Sequence, residues 1–96
     1  MSQFTISAQE LSEKKETLSA LKTTLETQVA QLESIGKSLN TMWEGPARES
    51  YARSLSIDLA KVKVFLKILG EFINILTKII SLYKIMEKKN VATAAG

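Results

Sequence analysis

Cysteine and histidine are both missing from this chain. Thiol chemistry, disulfides, imidazole catalysis and the common zinc-ligand sets are excluded with them. Asp58 is the only aspartate, and the nine glutamates are spaced as helix-surface charges rather than as a paired acid and base. No glycine-rich phosphate loop occurs. No catalytic, cofactor-binding or metal-ligating residue is therefore assigned, and the chain is not expected to be an enzyme. Turn formers are scarce too, with four glycines and a single proline, Pro46. That is too few for an all-β fold, while 45% hydrophobic residues is too apolar for a disordered chain. Ninety-six residues make at most one thin domain. An all-α chain divided near its middle by Pro46 is what these limits leave.

The net charge of +3 is unevenly placed. Residues 1–42 carry four Lys against five Glu, a balance of −1, and residues 43–96 carry nine basic against five acidic residues, +4. The lysines of the second half are interleaved singly among apolar residues and stacking aromatics are few, so nucleic acid is not an expected partner. Residues 1–10 show neither a basic leader nor a following apolar run, so no cleavable signal peptide is expected. The most apolar stretch, Val64 to Met86, is interrupted by Lys67, Glu71, Lys78 and Lys84. Its longest charge-free run, Phe72 to Thr77, falls far short of the roughly 20 residues of a transmembrane helix.

A first helix is predicted over about 7–42. Ser7 and Glu10 form an S-x-x-E capping box, with Ile6 and Leu11 as a hydrophobic staple across it. Leucine then recurs every seven residues at Leu11, Leu18, Leu25, Leu32 and Leu39. Lys14, Leu21, Gln28, Ile35 and Met42 follow three residues later, completing a narrow, partly polar coiled-coil seam. The turn is placed at 43–45, where Gly45 suits special backbone angles and Pro46 suits the first position of a new helix. So short a connection makes the two helices antiparallel neighbours.

The second helix is predicted over about 46–88, with a flexible tail at 89–96. It carries two apolar stripes. One contains Phe65, Ile68, Phe72, Ile75, Ile79, Leu82 and Met86; the other contains Leu55, Leu59, Val62, Leu66, Leu69, Ile73, Leu76, Ile80 and Tyr83. The narrow seam of the first helix is too small to cover both. Half of these residues left wet would forgo on the order of 12 kcal/mol, at ~1.5 kcal/mol each, which rivals the stability of a whole domain. A second copy of the chain, or a close relative, packing into an antiparallel four-helix bundle is the expected cover. Lipid against an amphipathic helix is the less favoured alternative.

The turn reads Trp43, Gly45, Ala47 and Tyr51 in a W-x-G-x-A-x-x-x-[FY] pattern, and Tyr83 to Glu87 reads Y-x-x-x-[DE]. With both motifs in this order on a short helical chain without cysteine, the sequence resembles the WxG family of early-secreted-antigen-type proteins. These are exported by the type VII (Esx) secretion machinery of Gram-positive and mycobacterial cells. The resemblance spans Ser7 to Lys89. It implies a helical hairpin that dimerises antiparallel with itself or with a paralogous WxG protein, and export without a cleaved leader from the cytoplasm of a Gram-positive bacterium. It also implies the secretion ATPase and its membrane machinery as partners, and a role as effector, escort or machinery-dependent substrate. On this resemblance Trp43 and Gly45 form the turn motif, and Tyr83 and Glu87 the export signal. Two other functions compete: a membrane-active helical protein that offers residues 55–86 to lipid, and a cytoplasmic coiled-coil adaptor in which W-x-G is accidental.

Overall fold

The computed structural model describes residues 6–95, and the side chains of residues 6–90. Two helices account for almost all of this, α1 over Ala8–Met42 and α2 over Pro46–Ala95. They pair lengthwise as an all-α antiparallel hairpin with extents of 76 × 21 × 19 Å.

Each helix end has a local cause. Ser7 sits in extended backbone (φ −91°, ψ 163°) and both halves of the capping box are made. Glu10 N–H donates to Ser7 Oγ, and Ser7 N–H donates to Glu10 Oε1, each at 3.1 Å. At the other end Trp43 leaves the helix in extended backbone, while its N–H still donates to Leu39 O at 2.9 Å. Gly45 follows at φ +110°, a conformation that disfavours any side chain, and α2 opens at Pro46. The expected end of α2 near Lys88, with a flexible tail over 89–96, gives way to helix through Ala95, while Gly96 lies outside the described residues. The segment Asn90-Val91-Ala92-Thr93-Ala94-Ala95 has neither Gly nor Pro to stop a helix, and its alanines favour one.

The two stripes of α2 separate cleanly. Leu55, Leu59, Val62, Leu66, Leu69, Ile73, Leu76, Ile80 and Tyr83 are all buried or half-buried. The core is Val29 with Leu59 and Leu66, and Leu25, Leu55 and Val62 pack against it. Every member of the other stripe, from Phe65 to Met86, is 38–59% exposed.

The α1 seam is only half as expected. Leu11, Leu18, Leu25 and Leu39 are half-buried, but Leu32 is exposed, and so are Lys14, Leu21, Gln28, Ile35 and Met42. The row that joins the leucines in the interface is instead Ala8, Lys15, Lys22, Val29 and Gly36. Small residues let the helices approach closely, and a Cβ placed on Gly36 would lie 2.7 Å from Leu55 Cδ2. The two lysines lay their stems along the seam, and Lys22 sends its ammonium out to Glu26 at 3.0 Å.

Candidate functional site

Three regions carry the candidate residues: the turn, the open end of the hairpin and an exposed apolar flank shared by both helices. At the turn, Trp43 packs on Tyr51 from the first turns of α2, with ring centroids 5.5 Å apart and planes tilted by 56°. Arg48 ties the same end together. Its backbone N–H donates to Gly45 O, and its guanidinium Nη1 donates to Asn40 O, each at 3.1 Å. The second bond satisfies a carbonyl left free in the last turn of α1. Trp43 remains 37% exposed. It stands at the end of a groove of about 440 Å³ between the helices, with Lys37, Arg48 and Lys63 along its wall. The motif residues Trp43, Gly45 and Tyr51 thus lie at one corner of the hairpin. Arg48 and Asn40 escaped the sequence reading, because a side chain capping the preceding helix leaves no periodic signal.

The open end brings Tyr83 and Glu87 against the start of α1. Tyr83 is half-buried in the inner stripe. Glu87 is one heptad beyond Ile80, and its Oε2 accepts a hydrogen bond from the Ala8 N–H at 2.9 Å. Ala8 itself is 2% exposed. A negative carboxylate against the amino end of a helix is favourable, both for the free N–H it satisfies and for the helix dipole. Glu87 therefore has a tertiary partner while its side chain stays exposed, and no local or periodic signal marks a contact across 79 residues. Trp43 and Glu87 lie at opposite ends of the 35-residue α1, about 50 Å apart at ~1.5 Å per residue, and cannot share a patch within one chain.

The third region follows from helix geometry. In heptads with Ala8 and Leu59 at position a, Glu33 and Lys63 are both e positions. They pair at 2.7 Å, which identifies the side of the hairpin on which the two e rows meet. The g rows of an antiparallel pair must then meet on the other side. That side gathers Leu21, Ile35 and Met42 of α1 with Phe65, Phe72, Ile79 and Met86 of α2, and Ile68, Ile75 and Leu82 extend it at c positions. All ten are exposed. The hairpin is therefore two-sided, with a broad apolar face opposite a polar one that carries the ion pair.

Among the described residues no group of three or more acidic side chains comes together to hold a metal ion. No described helix is long and apolar enough to cross a membrane. The chain matches no protein-family model, no curated protein and no solved structure.

Proposed function

We propose that this chain is a non-enzymatic protein exported by a type VII machinery, and that it works as an antiparallel dimer of two hairpins in a four-helix bundle. The observation that carries the proposal is the one-sided apolar face. Seven residues of the outer stripe stay about half exposed, and burying the rest would contribute about 1 kcal/mol each, roughly 7 kcal/mol per protomer before the cost of association. A second copy presents the same face and the same length, so a two-fold antiparallel arrangement covers both at once. The nearly balanced charge of residues 1–42 offers no strong repulsion to self-pairing. A paralogous chain with the same pattern would fill the same face.

Export is supported by the W-x-G corner between the helices and by Y-x-x-x-E at the open end. In the antiparallel dimer, Trp43 of one protomer comes beside Tyr83 and Glu87 of its partner, so the two motifs make a composite patch twice per dimer. A receptor that needs both would select folded dimers over single chains. Detection in the culture supernatant, in cells with and without the secretion ATPase, tests export directly. Trp43→Leu should leave the dimer folded and block export. Protein retained in cells with intact machinery, or released equally without the ATPase, would overturn the proposal.

A further inference from the structure

The capping box satisfies the backbone N–H groups of Ser7 and Glu10 within α1's own first turn. It leaves the Ala8 N–H, and that donor is taken by Glu87 from the far end of the chain. Ala8 is almost wholly buried, so water is a poor substitute and the bond has a definite replacement cost. The same carboxylate is the acidic member of the Y-x-x-x-E element, and Tyr83 beside it is half-buried. Ile6, Ser7, Tyr83, Met86, Glu87 and Asn90 together line a small cleft of about 290 Å³. One oxygen of the acidic residue in this element is thus held by the start of α1, although the Glu87 side chain itself is exposed.

We infer that the first turn of α1 is an autoinhibitory clasp on Glu87, and that a receptor reading Tyr83 and Glu87 must first displace the Ala8 N–H. The inference rests on the export function proposed above and concerns the regulation of that same site. The Ala8 N–H, donating to the Glu87 carboxylate at 2.9 Å, competes with any cationic or N–H group that a receptor offers that oxygen. Reading the signal then requires a partner able to outcompete α1, or a step that frays its first turn. Either would make export conditional without any change in the motif itself.

Ala8→Pro isolates the clasp. Proline at the first helical position removes only an N–H that makes no bond within the helix, and its fixed φ suits the site. It also requires extended backbone at the preceding residue, where Ser7 already lies at φ −91°, ψ 163°. Glu87 keeps its carboxylate but loses its donor. The expected result is an early supernatant-to-cell ratio roughly tenfold above wild type, the order of effect of one hydrogen bond to a charged group. Adding Glu87→Ala to Ala8→Pro should abolish the gain. Ala8→Pro that is helical but exported no better than wild type would overturn the clasp and leave the export function standing. Wild-type protein that never leaves the cell would overturn both. If the proline variant does not fold, Glu10→Ala frays the first turn from the solvent side, and Glu10→Gln keeps the capping box. Glu10→Ala should then raise export two- to threefold, on the order of a lost cap, over Glu10→Gln. Equal export of these two would count against the clasp.

Discussion

The two stripes of α2 are nearly alike in composition and opposite in fate. Leu66 and Ile80 of the inner stripe are buried by α1, whereas Phe72 and Ile75 of the outer stripe are half exposed. Hydrophobicity did not decide between them. The inner stripe faces a helix whose Ala8, Val29 and Gly36 permit close approach, and the outer stripe lies on the flank of the hairpin where the two g rows meet. The hairpin uses one stripe to fold and leaves the other exposed, and in the proposed dimer that second stripe is the one that associates, so substitutions in the two should fail in different ways.

The largest effect is expected from Leu66→Glu. An unpaired carboxylate in the Val29–Leu59–Leu66 core has no compensating partner, and the cost of burying it, several kcal/mol, is comparable with the whole stability of a small domain. Loss of far-UV helical signal, or aggregation, would be the outcome. Ile75→Glu should do something else: the hairpin keeps its helicity, and sedimentation gives half the mass of the wild-type dimer. A compact, stable wild-type monomer would defeat the association argument.

Gly36→Ala tests the seam itself. Its new Cβ would meet Leu55 Cδ2 at 2.7 Å, and overpacking of about 1–3 kcal/mol is partly offset by the roughly 1 kcal/mol that alanine gains in a helix. A net loss of about 1 kcal/mol in chemical denaturation is expected. Smallest of all should be Glu33→Ala, which removes the exposed pair with Lys63 at a cost below about 1 kcal/mol, fading further in salt, because solvent screens such pairs. It should leave the dimer mass unchanged, since the pair lies on the polar side. A monomer from Glu33→Ala would assign association to the wrong face.

Much of the hairpin was legible in sequence, because its signals are local or periodic. Ser7 with Glu10, and Gly45 with Pro46, set helix ends within a few residues of themselves. The 3-4 spacing from Leu55 to Tyr83 drew the inner stripe. The partner row on α1 was not legible, because Ala8, Lys15, Lys22, Val29 and Gly36 form a row selected for smallness and flexible stems, with almost no hydrophobic signal. Leu21, Ile35 and Met42 imitated it and belong to the outer face. The bond from Ala8 to Glu87 was hidden for another reason: only the register of the folded hairpin brings the two together.

That register also orders the assembly of the hairpin. The Arg48–Asn40 bond closes across 8 residues, the Glu33–Lys63 pair across 30, and the Ala8–Glu87 bond across 79. Contacts near the turn need the smallest loop, and each one formed shortens the loop left for the next. The hairpin should zip from Trp43 and Tyr51 towards the chain ends and fray in reverse, since ends open at lower free energy than cores. Denaturant, or a pull on the chain ends, should therefore part Ala8 from Glu87 first and the tryptophan corner last.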